Sequence, residues 1–253
     1  MMLYRLLTYV AALCMLGLPL GAAAGGDGFG NDAPGNATTK FSLPVSPTSQ
    51  SGYYNTTTDD DWYRVRLKRG VVYAVGLSGA VDCCLTSQVN LRDSRGHVLA
   101  TANSATGGDT DGFEFQAPYS GLYFLEYKVT YGDPEDCCWF YSTSIAKDCL
   151  AGIATKCSLG LGQKTTGYFS FNYDKDWYRV ALRGGQVYSV TTQMPPGNDD
   201  AIATIMNAEG KKVAGGTGPS VTGFRAPTSG TYYVRVGSMY SLISSYTVLL
   251  SSP

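Results

Sequence analysis

Asp61-Trp62-Tyr63-Arg64-Val65-Arg66-Leu67 returns as Asp176-Trp177-Tyr178-Arg179-Val180-Ala181-Leu182, a shift of 115 from position 61 to position 176. The match continues at the same shift. Gly70-Val71-Val72-Tyr73-Ala74-Val75 is answered by Gly185-Gln186-Val187-Tyr188-Ser189-Val190. Further on, Phe115-Gln116-Ala117-Pro118-Tyr119-Ser120-Gly121-Leu122-Tyr123 is echoed by Phe224-Arg225-Ala226-Pro227-Thr228-Ser229-Gly230-Thr231-Tyr232, now shifted by 109 from 115 to 224. A repeat of this length divides the 253 residues into two units of domain size.

Within the first copy, Tyr63, Val65 and Leu67 alternate with Trp62, Arg64 and Arg66, the period-2 pattern of a half-buried strand. Outward from it, strand-like segments are predicted at 40–43, 51–55, 71–77, 88–92, 97–100, 112–116, 122–129 and 140–145. The second copy offers 166–171, 177–182, 186–192, 203–206, 211–214, 221–225, 231–236 and 246–250. Turn chemistry separates them, as in Asp93-Ser94-Arg95-Gly96 and Asn207-Ala208-Glu209-Gly210. Many short strands, 19 tyrosines and 31 glycines indicate an all-β chain. The expected architecture is two tandem antiparallel jelly-roll or Greek-key β-sandwich domains. Almost no linker remains between Ile145 and Asp148, so the two should be close-set.

The first 24 residues read as a secretory signal peptide. Arg5 is followed by an apolar run from Leu6 to Leu20 and by Ala22-Ala23-Ala24 as a cleavage site. The domains then fall at 31–146 and 147–253, and a secreted or periplasmic location is expected. With Cys14 in the leader, six cysteines remain: Cys83, Cys84, Cys137, Cys138, Cys149 and Cys157. Export favours disulfides over a soft-metal site. The simplest pairing joins Cys149 to Cys157 and the Cys83-Cys84 dipeptide to Cys137-Cys138.

Composition and motifs also bear on function. Nineteen basic and 20 acidic residues leave no electrostatic footprint for nucleic acid. The lone histidine, His97, follows a turn and reads as an exposed turn residue. There is no Gly-x-Ser-x-Gly elbow, and one histidine excludes a His-Glu-x-x-His zinc site. Glu114 and Glu126 lie on predicted strands and read as solvent-face residues rather than a glycosidase pair. A non-catalytic chain is the expectation.

Two ligand readings survive. Asp59 and Asp61 are matched by Asp174 and Asp176, while Asp32 precedes the first copy and Asp148 the second. Such oxygen donors suit calcium, though turn capping or pairing with a nearby arginine explains Asp61 and Asp176 better than the Asp-x-Asp spacing alone explains a metal loop. Trp62 and Trp177 fall opposite Tyr63 and Tyr178, beside Arg64 and Arg179. Phe124 and Tyr233 are likewise out of phase with the core set. Exposed aromatics at matching places would grip a sugar or protein strand; the alternative is that a loop or the neighbouring domain covers them.

The run Asp-x-Asp-Trp-Tyr-x-Val-x-Leu, then Gly-x-x-Tyr-x-Val, a Gly-centred hairpin and Phe-x-Ala-Pro-x-Ser-Gly-x-Tyr resembles the bacterial pre-peptidase C-terminal domain family. The resemblance covers about 31–145 and 148–251. It implies jelly-roll sandwiches of the kind appended to secreted hydrolases, similar to the collagen-binding domains of clostridial collagenases. It also implies calcium near each domain's N-terminal segment. A secreted binding protein for an extracellular polysaccharide, the cell envelope or a partner protein follows as the expectation. An accessory or inhibitory subunit of a secreted peptidase is the alternative.

Overall fold

A computed structural model of the chain describes residues 33, 35–54, 58–79, 86–104, 110–132, 140–196, 201–238 and 244–253. The expected leader, Asp32, Cys83, Cys84, Cys137 and Cys138 lie outside the described residues. The first module contains β1 (Ser46–Tyr53), β2 (Asp60–Leu67), β3 (Val72–Gly79), β4 (Thr86–Arg92), β5 (Val98–Ser104), β6 (Thr110–Gln116), β7 (Gly121–Tyr131) and β8 (Phe140–Lys147). The second contains β9 (Lys164–Phe169), β10 (Lys175–Leu182), β11 (Val187–Gln193), β12 (Ala201–Met206), β13 (Lys212–Gly215), β14 (Ser220–Arg225), β15 (Gly230–Ser238) and β16 (Ser244–Ser251).

Both modules have one topology. In the first, one sheet runs β1-β8-β3-β6 and the other β2-β7-β4-β5; in the second the orders are β9-β16-β11-β14 and β10-β15-β12-β13. All these pairings are antiparallel, and the order is that of a jelly roll. Tyr63, Val65 and Leu67 enter the first core with Tyr123, Leu125 and Tyr127 of β7; Tyr178, Val180 and Leu182 enter the second with Tyr232, Val234 and Val236 of β15.

The repeated residues hold the module together. The Gly70 N–H donates to the Ala117 carbonyl at 2.8 Å, and the Gly185 N–H to the Ala226 carbonyl at 2.8 Å. Both glycines adopt positive φ, 75° and 77°, which a side chain would strain. The hydroxyl of Tyr73 receives the Lys68 N–H and that of Tyr188 the Arg183 N–H, at 2.9 and 2.8 Å. Tyr123 donates back to the Tyr119 carbonyl and Tyr232 to that of Thr228. Ser120 and Ser229 accept the Arg69 and Gly184 N–H groups. The motif is therefore a set of turn clamps.

Several strand boundaries differ from expectation; the predicted 51–55 strand runs instead from Ser46 to Tyr53. The predicted 40–43 strand is a single parallel bridge from Ser42 to Arg64 on the flank of β2, matched by Ser158 to Arg179. The predicted 166–171 strand stops at Phe169. Ser170 and Phe171, beyond its end, contact the first module.

Candidate site at the junction of the two modules

Strands β3 and β6 of the first module pair with Gly76 opposite Gly112. This places a flat window on the sheet. A Cβ on Gly76 would overlap the Ser170 carbonyl oxygen, and one on Gly112 would come within 2.7 Å of the Phe171 Cβ. The Asn172 N–H donates to the Thr110 carbonyl at 2.9 Å, and the Tyr168 hydroxyl donates to the Pro47 carbonyl. The loop that leads from β9 to β10 is thus seated on the first module.

Beside this window three acids from three places converge. Glu114 comes from β6, Asp148 follows β8 directly, and Asp174 precedes β10. One carboxylate oxygen of each lies within 4.8 Å of those of the other two. The Ala151 N–H donates to Glu114 Oε2 at 3.0 Å, the Cys149 N–H to Asp148 Oδ1 at 2.8 Å and the Ser170 N–H to Asp174 Oδ2 at 2.8 Å. Asp148 Oδ2 and Asp174 Oδ1 are buried and accept no hydrogen bond, and Asp174 is only 1% exposed. Asn172 Oδ1, on the same loop, is another buried acceptor left over.

Burial, and then the neighbouring Asp148 and Glu114, push the Asp174 carboxyl well above its usual range. Burial, with Asp148 adding to it, raises Glu114 to about 7. Burial also raises Asp148. Leaving charged acceptors buried and unmatched costs at least about 1–3 kcal/mol each, so the arrangement favours either protons or a cation. All the donors are hard oxygens, which suit calcium. The residues present fit that ion, with Asp148 and Asp174 as the groups of the second module that would hold it.

Among the acids expected to bind metal, Asp148 and Asp174 are brought together. Asp176 stands behind them, fully buried, with Oδ1 receiving the Cys149 N–H at 3.2 Å and Oδ2 the Tyr246 hydroxyl. Asp61 occupies the matching place in the first module and receives the Tyr141 hydroxyl at 2.9 Å. Asp59 is half-buried ahead of it. Glu114 was expected on a solvent face; the structure corrects this in part, because the second module half-buries it. The one sequence signal was a difference between the copies, since the second has Gly223 at the matching position.

The expected aromatic face is also corrected. Trp62 and Trp177 are each 8% exposed, Phe124 3% and Tyr233 7%. Trp62 packs on Phe124 at 5.7 Å under the Arg92 guanidinium at 5.2 Å. Trp177 packs on Tyr233 and Met206. It is overlaid by the segment closed by the Cys149–Cys157 disulfide, whose Thr155 hydroxyl donates to the Trp177 carbonyl and whose Ile153 carbonyl accepts from Tyr233. Arg64 is half-buried and Arg179 exposed. Glu126, also expected in solvent, is 4% exposed and bonded by Arg92 at 2.7 Å and by Asn90. Alternation misled here because long side chains and covering segments bury the outer faces of these sheets too. His97 is exposed as expected and contacts Asp93 at 3.1 Å.

A cleft of about 400 Å3 opens alongside the acids. Val71, Val72 and Gln116 of the first module face Thr166 and Tyr168 of the second, with Lys156 also on its wall. It exists only while the modules are docked.

No family model matches the chain, and no curated protein sequence matches it. Solved structures similar to it include a periplasmic inhibitor of g-type lysozyme from Aeromonas hydrophila, with 15% identity over 38% of this chain and 96% of that one, TM-score 0.31. The human CUB1-EGF-CUB2 domain of MASP-1/3 is similar at 11% identity over 81% and 99%, TM-score 0.22. A tandem CBM22 domain from Paenibacillus barcinonensis Xyn10C is similar at 11% identity over 75% and 82%, TM-score 0.20. These TM-scores are too low to bear on function. No helix among the described residues is long and apolar enough to cross a membrane.

Proposed function

We propose that this is an exported, non-catalytic binding protein whose two jelly-roll modules recognise an extracellular polysaccharide, an envelope component or a partner protein across their junction. The observation that carries the reading is the cleft, because both modules build its walls. Concave sites between domains are favoured places for ligands. The resemblance to pre-peptidase C-terminal modules supports export and a binding role, and supports calcium at Asp148 and Asp174.

The reading is tested by pull-down of the full chain on insoluble polysaccharides, cell-wall material and collagen. Thr166→Trp fills the cleft from an exposed position. It should abolish retention on the matrix that holds the wild type while leaving the melting temperature unchanged. Retention unchanged by Thr166→Trp removes the cleft as the binding site.

A further inference from the structure

We propose that calcium at Asp148 and Asp174 is completed by Glu114 of the first module, so that one ion clasps the two modules together. This rests on the calcium reading above and adds to it a ligand from across the junction.

The three carboxylates belong to different parts of the chain: a strand of one module, the joint itself and a loop of the other. Asp174 Oδ1 is a buried acceptor that no protein donor satisfies, and Asp148 Oδ2 is buried with only the neighbouring acid Asp176 to share a proton with it. A dication supplies the partner that Asp174 Oδ1 lacks, and it cancels most of the repulsion among three acids.

Docking brings Glu114 to that place. Thr110, Gly112 and Glu114 alternate along β6 and therefore share one face. Thr110 receives the Asn172 N–H, Gly112 accommodates Phe171, and Glu114 receives the Ala151 N–H. The loop seated on this face ends in Asp174. Seating the loop and assembling the ligands are one event. By linkage, calcium must favour the docked arrangement and docking must favour calcium by the same factor.

The test is calcium titration calorimetry of the full chain at pH 8, paired with small-angle scattering in calcium and in chelator. The wild type should bind calcium and become more compact. Glu114→Gln keeps an acceptor for Ala151 but removes a charge, and should weaken binding at least ten-fold. Gly76→Ala removes no ligand; by unseating the loop it should weaken binding comparably. Wild-type affinity in both variants overturns the clasp and leaves calcium on the second module alone. If the wild type takes up no calcium, the clasp and the calcium reading fail together. Should Gly76→Ala not fold, Glu114→Gln alone decides.

Discussion

Tyr246 donates its phenolic hydrogen to Asp176 Oδ2 at 2.5 Å, and the bond crosses the sandwich from β16 in one sheet to β10 in the other. The first module repeats it: Tyr141 on β8 donates to Asp61 on β2 at 2.9 Å. A second tyrosine joins each pair, with Tyr178 2.7 Å from the Tyr246 hydroxyl and Tyr63 3.0 Å from that of Tyr141. The Asp-x-Tyr spacing puts acid and phenol on the same side of one strand, where a single tyrosine from the opposite sheet reaches both.

Removing that donor leaves a buried carboxylate short of a partner. Tyr246→Phe and Tyr141→Phe should each destabilise the fold by about 1–3 kcal/mol, measured by urea unfolding. A loss below about 0.5 kcal/mol in both would show that the bond contributes little net stability.

The Arg92–Glu126 pair is a different case. Glu126 also accepts from Asn90, and the Arg92 guanidinium lies over Trp62. Glu126→Ala leaves Arg92, a fifth exposed, with the Gly96 carbonyl and the Trp62 ring, and should cost about 1–3 kcal/mol. Replacing both partners with apolar residues should cost markedly less, a contrast read from a double-mutant cycle.

The disulfide between Cys149 and Cys157 spans a sequence separation of 8 and closes the segment lying over Trp177. Chain entropy assigns such a loop about 2–3 kcal/mol. Reduction, or Cys157→Ser, should lower stability by about that amount. It should also raise acrylamide quenching of tryptophan emission. Unchanged quenching would mean that the segment stays in place without its crosslink.

The junction acids set an unusual pH dependence. Burial holds Glu114 at about 7 and raises Asp148 and Asp174 as well. A raised folded value means that the fold takes up more protons than the unfolded chain. The contribution is fully present below the unfolded carboxyl range, roughly pH 4, and is lost as pH rises through about 7. In chelator, Tm should therefore climb as pH falls from 8 to 5. Saturating calcium should recover most of the loss at pH 8, because a ligand of the native state stabilises it. A chelator profile that falls toward pH 5 contradicts this.

The repeat, the strands and the Cys149–Cys157 pairing were legible in one dimension because their causes are local. Alternation, glycine at positive φ and Ala-Pro turn clamps act within a few residues, and each appears twice. The inward set of Tyr63 and Tyr178 followed from strand period alone. Period is silent about what covers the other face, so for Trp62, Trp177, Phe124 and Tyr233 an exposed binding face and a covered position both stayed open. They are buried by Arg92, by Met206 and by the disulfide segment.

Glu114 marks the same boundary most sharply. In its own module it is an ordinary outward strand residue. It becomes part of an acid cluster around the buried Asp174 only because Gly76 and Gly112, on neighbouring strands, leave room for Phe171 and bring Asp174 alongside. Local patterns decided each module. The junction was decided by the fit of two surfaces, a property of residues distant in sequence that only the tertiary structure brings together.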